Sequence, residues 1–384
     1  MKKILLGTSA LVFAGMLSTA ASAAEPLKLS ISGFSDWYIG YANQDSGITG
    51  GNVNDVDVMG NVEVHFKGEV VLENGMKAGA VVALNGGTHA YDPEADDTIK
   101  YSYAYLETAF GRTLIGLQDS VAKQMYIGAK DVGAFGINES HIANFLAYET
   151  GLVGQAAWIN TGDRKNMISY VTPCMNGFML GVSYVPGSDL NSDDNTMIRG
   201  TKDWSNTVAV GDERMVLRES VIAAATYKMN LDKGTTLGFS AAMASSGVRN
   251  EEVTALGPIV TDNTNERLWE YSFGVQFAKN GLFVGGGYKR FHIEGDGHAD
   301  EYRVWNGSVG YENNKYAASL SYQGSRFHGI DSEMFLLSGK YKLSAGVDVF
   351  ASFALVNEEV ENDVTNKTDK MDSQIIATGV QLKF

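Results

Sequence analysis

The chain ends in Asp372-Ser-Gln-Ile-Ile-Ala-Thr-Gly-Val-Gln-Leu-Lys-Phe384, a stretch in which two kinds of residue alternate. The even-numbered positions towards its end are mostly apolar: Ile376, Thr378, Val380, Leu382 and Phe384. The positions between them are small or polar: Ala377, Gly379, Gln381 and Lys383. Successive side chains of a strand point to opposite faces, so a period of two predicts a strand with one apolar face.

The same alternation recurs through the chain, notably over residues 61–72, 269–277, 316–323 and 347–355. The second face of these segments is rich in Gly, Ala and Ser and also carries Lys, Glu and His. A soluble sandwich rarely places lysine or glutamate on an inner face in mid-strand. The pattern instead favours strands that meet lipid on one side and a crowded aqueous lumen on the other.

The first residues have the three-part layout of a secretory signal peptide. Two lysines are followed by an apolar stretch from Ile4 to Leu17 and by a small-residue end at Ala21-Ser22-Ala23. The pattern predicts cleavage after Ala23 and export of a single domain over residues 24–384. A retained helical anchor is the alternative, but the apolar stretch is short for a membrane-spanning helix.

The composition restricts the class of function. The formal net charge of −15 disfavours nucleic-acid binding, which depends on Lys and Arg contacts to phosphates. Cys174 is the sole cysteine, which excludes an intramolecular disulfide and a cysteine metal cluster. The 44 Gly and 18 Tyr against 5 Pro suit many strands joined by tight turns.

Short and long connections alternate along the chain, which predicts an even number of strands. Seven short turn signals are present, at Asn74-Gly75, Phe110-Gly111, Asn176-Gly177, Asp232-Lys233-Gly234, Asn280-Gly281, Asn313-Asn314 and Ala345-Gly346. They alternate with eight longer polar segments, and fifteen connections join sixteen strands. Unpaired backbone groups are costly in hydrocarbon, so such a sheet must close. We therefore predict an all-β fold: a transmembrane antiparallel barrel of sixteen strands with short periplasmic turns and long external loops.

Aromatic residues are expected to mark the two membrane interfaces. The faces that we assign outward carry Tyr101, Tyr103, Tyr105, Tyr184, Tyr227, Trp269, Tyr271, Trp305 and Tyr311. Tyrosine and tryptophan concentrate at the headgroup level of bilayers. These residues are therefore predicted to form the girdles of the barrel.

Two segments resemble the central strands of Gram-negative general porins, especially the alphaproteobacterial type: Phe110–Asp119, and Asn166–Pro186 after a long loop. The strand beginning at Leu27 and the terminal Phe384 are also similar to that family. The resemblance implies a sixteen-stranded outer-membrane barrel, usually trimeric, for passive diffusion of small hydrophilic solutes and ions. It also implies that the third long loop, here 119–165, folds into the pore and narrows it. Val380, Leu382 and Phe384 would form a recognition signal for the barrel-insertion machinery.

Charged residues at the narrowest point of such a pore would set its ion preference. The acidic candidates on the loop are Asp119, Asp131, Glu139 and Glu149, with Lys123, Lys130 and His141 beside them. The basic candidates with inward parity on the early strands are Lys28, His65, Lys67, Lys100 and Arg112. The resemblance implies that the two sets face each other across the pore. The net acidity predicts a weak preference for cations.

The sequence also allows other functions. A substrate-preferring channel fits the same fold, and an outer-membrane hydrolase or a soluble periplasmic binding protein would be alternatives. The chain has no Gly-x-Ser-x-Gly or His-Glu-x-x-His motif, so no enzyme is predicted. No cofactor is predicted either, although acidic loops at 92–97 and 189–194 could hold calcium and bridge lipopolysaccharide. The segment 292–301 could bind a divalent metal, but its spacing fits no standard site.

Deletion of Phe384 is expected to lower the yield of barrel in the outer membrane several-fold, since the terminal aromatic residue would belong to the insertion signal. The measurement is the amount of heat-modifiable barrel in isolated outer membranes, with Lys383→Ala as the matched control. An unchanged yield after the deletion would remove the targeting role of Phe384.

Overall fold

The computed structural model describes residues 26–44, 55–86, 99–146, 152–161, 163–187, 213–254, 257–262, 266–294, 301–327, 329–362 and 367–384. The predicted signal peptide, 1–23, lies outside these residues. The described part consists almost entirely of strands: β1 (Lys28–Gln44), β2 (Val56–Val71), β3 (Lys77–Asn85), β4 (Ile99–Thr108), β5 (Gly111–Gln118), β6 (Lys165–Val171), β7 (Phe178–Gly187), β8 (Glu213–Asp232), β9 (Thr235–Thr254), β10 (Gly257–Asp262), β11 (Arg267–Lys279), β12 (Leu282–Ile293), β13 (Tyr302–Glu312), β14 (Tyr316–Phe327), β15 (Ile330–Ser344), β16 (Val347–Asn362) and β17 (Lys367–Lys383).

The strands form one antiparallel sheet that closes on itself. Each strand pairs with its neighbours in the chain, and β1 pairs with both β2 and β17. The short strand β10 pairs with the last residues of β9, from Asn250 to Thr254, whereas the pairing of β11 with β9 ends at Gly247. β10 is therefore an extension of the wall, and the remaining sixteen strands form the ring. The predicted sixteen-stranded barrel is confirmed.

The seam between the first and last strands satisfies the backbone at the chain terminus. Gly33 donates its backbone N–H to the carbonyl oxygen of Phe384 at 2.9 Å, and Phe384 donates its own to Gly33 at 3.1 Å. The ladder continues from Phe34 opposite Lys383 to Gln44 opposite Ser373. Closure is necessary because hydrocarbon offers no partner to an open strand edge.

The short turns are built from the residues that the sequence indicated. Asn280 and Gly281, between β11 and β12, both have positive φ, at 50° and 92°. This is the left-handed backbone of the two-residue hairpin turn whose twist matches the flanking strands. Asparagine and glycine adopt it at the lowest steric cost, so this pair sets the register of the hairpin.

The outer face of the wall is apolar. On β15, Phe335 and Leu337 are about half exposed, while Met334 and Leu336 between them are fully buried inside the barrel. On β17, Ile376 and Leu382 are exposed and Ala377 is buried, as the terminal alternation predicts. The described residues contain no helix long and apolar enough to cross a membrane.

The prediction for the tyrosines of β4 is wrong. The hydroxyl of Tyr101 donates to Asp119 at 2.9 Å, and that of Tyr105 donates to Glu69 at 2.5 Å, so both side chains point into the lumen. Leu106 of the same strand is the exposed neighbour on the lipid side. Alternation could not separate the two faces here because Tyr, Ala and Leu are all acceptable on a half-apolar surface, whereas a phenol hydroxyl needs a polar partner. Tyr184, Tyr227 and Tyr311 do face outward.

An arginine placed in the lipid-facing band should destabilise the barrel in a depth-dependent manner. Leu320 lies between Tyr316 and Tyr322 on the outer face of β14. We expect Leu320→Arg to lower the free energy of unfolding in lipid vesicles by about 2–4 kcal/mol, and Tyr316→Arg, nearer the rim, by about 0–1 kcal/mol. Equal losses in a denaturant titration of the two variants would contradict this assignment of the membrane band.

Candidate functional site

The long connection between β5 and β6 lies inside the barrel. We call residues 119–164 the inner loop; residues 147–151 and 162 of it lie outside the described part. The ring of Phe135 lies 5.0 Å from that of Tyr38 on β1 and 6.3 Å from that of Phe350 on β16. Phe145 packs into the same buried cluster, with the inward-facing Met334 of β15. Apolar packing therefore holds the middle of the loop against the inner wall.

Two wall glycines let the loop backbone approach the strands closely. A Cβ atom on Gly274 of β11 would lie 2.0 Å from the carbonyl oxygen of Ile127. One on Gly285 of β12 would lie 2.5 Å from the carbonyl oxygen of Gly128. Both separations are impossible, so these positions require glycine while the loop keeps its place. In the glycine run 285–287, which opens no helix, Gly285 and Gly287 face the loop in this way, since a Cβ atom on Gly287 would lie 1.8 Å from the hydroxyl of Tyr126.

Wall serines satisfy the backbone of the outgoing part of the loop. Ser240 of β9 accepts from the Ile127 N–H at 3.0 Å and donates to the Ile127 carbonyl at 2.9 Å. Ser308 of β13 accepts from the N–H of Lys130 at 2.8 Å. Buried backbone groups need such partners, so the Gly- and Ser-rich face of these strands is a docking surface for the loop.

The returning part of the loop is held by other polar side chains of the wall. Gln323 of β14 accepts from the N–H of Gly154 at 2.9 Å. The ammonium group of Lys289, a fully buried residue of β12, donates to Asn160 at 2.8 Å. The wall from β9 to β16 is therefore in contact with both directions of the loop.

Lys123 joins the beginning, middle and end of the inner loop. It lies on the short helix α1 (Val121–Gln124), and its Nζ is 2.8 Å from Glu139, 3.6 Å from Asp163 and 3.7 Å from Asp119. The ring of Trp158 lies beneath the ammonium group at 5.4 Å. Burial raises the pKa of the Asp163 carboxyl well above its usual value, although Lys123 opposes that rise. Three carboxyl groups thus surround one cation.

Glu139 has an unusual backbone. Its φ of 51° lies in the left-handed region, which non-glycine residues seldom adopt. Both carboxylate oxygens of Glu139 accept from Lys123, at 2.9 and 2.8 Å. The side chain is nonetheless exposed, so the loop holds a solvent-accessible carboxylate in a fixed place.

The other predicted acidic residues are placed differently. Asp131 accepts from the hydroxyl of Ser319 at 2.7 Å and from the N–H of Gly133 at 2.8 Å, so it faces the wall. Burial raises the pKa of its carboxyl group. Glu149 lies outside the described residues. Lys130 pairs with Glu312 at 2.5 Å, and His141 contacts the amide of Asn61 on β2 at 3.2 Å.

The predicted basic residues of the wall come together on β1 to β5 in two groups. In the first, which we call the upper group, Glu63 lies 2.5 Å from His65 and 2.6 Å from Lys100. Tyr101, which donates a hydrogen bond to Asp119, connects this group to the start of the inner loop.

The second, lower group lies nearer to the short turns. Lys67 pairs with Glu69 at 2.8 Å, and Lys28 of β1 stands opposite Glu69 in the strand register. The guanidinium of Arg112 stacks on the ring of Tyr105 at 4.5 Å. Arg112 directly follows the turn between β4 and β5, which places it near the periplasmic mouth.

Sequence reasoning missed Glu63 and Glu69, which neutralise part of the basic wall. Both have the same parity as His65 and Lys67 on β2, so the alternation already placed them on the lumen face. Reading every charge on that face, and not only the basic ones, would have found them. Sequence reasoning also missed Asp163 and the central position of Lys123.

No group of three or more His, Cys, Asp or Glu side chains in the described ranges is arranged to hold a metal ion. The acidic loops at 92–97 and 189–194 lie outside those ranges, as does most of 292–301.

A closed transmembrane barrel with a charged lumen and an inserted loop defines the class of protein: a channel for hydrophilic solutes. A sequence model of the Gram-negative porin family matches residues 7–361. The chain therefore belongs to the Gram-negative porin family and is an outer-membrane channel, not an enzyme.

Solved structures share this fold. The anion-selective porin from Comamonas acidovorans aligns with a TM-score of 0.58 at 13% identity, covering 94% of this chain and 100% of that one. OmpT of Vibrio cholerae, in a trimer form, aligns with a TM-score of 0.56 at 10% identity, covering 94% of this chain and 100% of that one. A mutant porin of Rh. blastica aligns at 0.53 with 13% identity, covering 93% of this chain and all of that one. No curated protein sequence matches this chain significantly.

Loss of the cation at the centre of the inner loop should loosen the loop. In Lys123→Gln the carboxyl groups of Asp119, Glu139 and Asp163 lose the cation that holds the three parts of the loop together. We expect greater open-channel current noise in planar bilayers, because the loop then samples several positions. Lys315→Gln, at a short turn, is the control and should behave as wild type. Open-channel current noise equal to that of wild type in Lys123→Gln would show that Lys123 does not hold the loop.

Proposed function

We propose that this porin is a general diffusion channel for small hydrophilic solutes and ions, with a weak preference for cations. The observation that carries the preference is the imbalance at Lys123, whose single positive charge faces the carboxylates of Asp119 and Glu139 and the buried carboxyl group of Asp163. Three basic wall residues opposite, His65, Lys100 and Lys67, have acidic partners of their own in Glu63 and Glu69. The lumen beside the loop therefore carries excess negative charge, which raises the local concentration of cations.

The inner loop is the proposed constriction. Its contacts with β1 and with the wall from β7 to β17 fill that side of the lumen, so solutes would pass along the other side, lined by β2 to β5. Asp119 and Glu139 are the acidic residues that we assign to the narrow zone, with the upper group of the wall facing them. Lys28, Lys67 and Arg112 would act nearer the periplasmic mouth. Hydrogen bonds to Ser319 and Gly133 support an anchoring role for Asp131.

The fold alone does not decide the sign of selectivity. The similar structure from Comamonas acidovorans is of an anion-selective porin. A shared barrel can therefore carry either preference, and the local charges decide between them. A substrate-preferring channel is the second candidate, favoured by the lumen-facing Tyr101 and Tyr105 beside cationic side chains.

The proposed assembly is a homotrimer in the outer membrane, as in the trimer form described for OmpT. The apolar outer face would supply both the subunit seam and the contacts with lipids and lipopolysaccharide. Leu382 and Phe384 are exposed on that face, and Val380 is half-buried, which suits a signal read by the barrel-assembly machinery. Export would depend on the signal peptide at 1–23.

The charge assignment is tested by reversal potentials across a planar bilayer with unequal KCl on the two sides. Wild type is expected to favour K⁺ over Cl⁻. The double variant Asp119→Asn, Glu139→Gln keeps the hydrogen-bonding shape and removes two negative charges, so its reversal potential should move towards anion preference. Glu359→Gln, which removes an exposed charge paired with Lys370, is the matched control. Anion preference in wild type, or no shift in the double variant, would overturn the assignment.

A further inference from the structure

A cavity of about 340 Å³ lies between the inner wall of β5 to β7 and helix α1. Arg112 and Gln124 contribute polar groups to its lining, and Leu114, Val171 and Met179 contribute apolar ones. The cavity is near the short turns, because Arg112 directly follows the turn between β4 and β5 and Met179 is the second residue of β7. Its volume is that of a small-molecule site.

Among the described residues that line the cavity, Arg112 is the only basic one, and no ion pair joins it to a described carboxylate. Its Nε is buried without a hydrogen-bond partner among the described residues. The guanidinium stacks on Tyr105, a contact that leaves its N–H groups free to donate. Glu107, which stands opposite Arg112 in the register of β4 and β5, is paired with Lys77 at 3.2 Å.

The neutral polar groups around Arg112 are already engaged. The hydroxyl of Thr108 donates to the carbonyl of Gly111 at 3.1 Å. The hydroxyl of Thr172 accepts from the N–H of Leu180 at 2.9 Å. The amide of Gln124 donates to the carbonyl of Asp119 at 2.6 Å. The guanidinium is therefore the group that remains to recognise a ligand, and a planar carboxylate is its natural partner.

We infer that this cavity binds small monocarboxylates with an apolar body on their way through the channel. The carboxylate would meet the guanidinium of Arg112, and the body would lie on Leu114 and Met179. The carboxylate of Glu107 also lines the cavity, so a second negative charge on the solute would be repelled. This inference deepens the proposed diffusion function, since it names a class of solute that the mouth of the channel retains.

The first test is direct binding to the detergent-solubilised full-length protein, measured by saturation-transfer NMR with benzoate as the probe. Benzyl alcohol is the neutral solute of similar size, and phthalate is the dianion. We expect saturable benzoate binding, with much weaker binding of both comparison solutes. Arg112→Gln should raise the half-saturating benzoate concentration about tenfold, the effect of losing one charge-assisted hydrogen bond. Lys370→Gln, an exposed residue outside the cavity, should bind benzoate as wild type does.

A second variant tests the apolar side of the cavity separately from the charge. Met179→Phe keeps Arg112 and fills the apolar side, so it should weaken benzoate binding without removing the guanidinium. Equal binding of benzoate and benzyl alcohol by wild type, or unchanged benzoate binding in Arg112→Gln or Met179→Phe, would overturn the inference. Because binding is measured without current, an absence of KCl conductance would count against the diffusion channel and not against this site.

Discussion

The inability of hydrocarbon to form hydrogen bonds is the constraint on which the rest of this structure depends. Every backbone N–H and carbonyl group at membrane depth must find a partner within the protein. The pairing of β1 with β17 supplies the last of these partners, and it joins the two ends of the sheet. Closure then creates an inside, and the alternation of side chains along each strand makes that inside polar.

The inner surface has two parts with different chemistry. From β9 to β16 it presents small or hydroxyl residues, such as Gly285 and Ser308, that receive the inner loop. From β2 to β5 it presents tyrosines and paired charges, such as Lys100 with Glu63. The first part positions the loop, and in the proposed channel the second borders the path that solutes take. Lys123 connects the parts of the loop itself, so electrostatic and apolar contacts both determine its shape.

Most of the fold could be predicted from the sequence because strand alternation and turn chemistry are local. The terminal strand, the Asn280-Gly281 turn and the number of wall strands follow from such signals. The faces of β4 could not be predicted, because Tyr105 suits either a lipid girdle or a lumen until its hydroxyl partner, Glu69, is known.

The arrangement of the site could be predicted less well from the sequence, because its contacts join distant parts of the chain. Lys123 meets Asp163 and Glu139 through a loop without any period, so no spacing rule brings them together. Asp131 illustrates the same limit: its position in the chain assigns it to the loop but does not predict its contact with Ser319 of the wall. Residue types and parity identify the charged set, whereas the pairing within it depends on the tertiary path of the loop.

The close fit of the inner loop to Gly274 and Gly285 has a consequence for mutational maps of transport. A side chain added at either glycine would displace the loop backbone, although both glycines lie beneath the loop. Permeability would change without any alteration of the surface that solutes touch. A mutational scan that measures only transport would therefore assign pore-lining roles to residues beneath the loop. Residues that contact solutes would be identified only by substitutions that leave the loop in place.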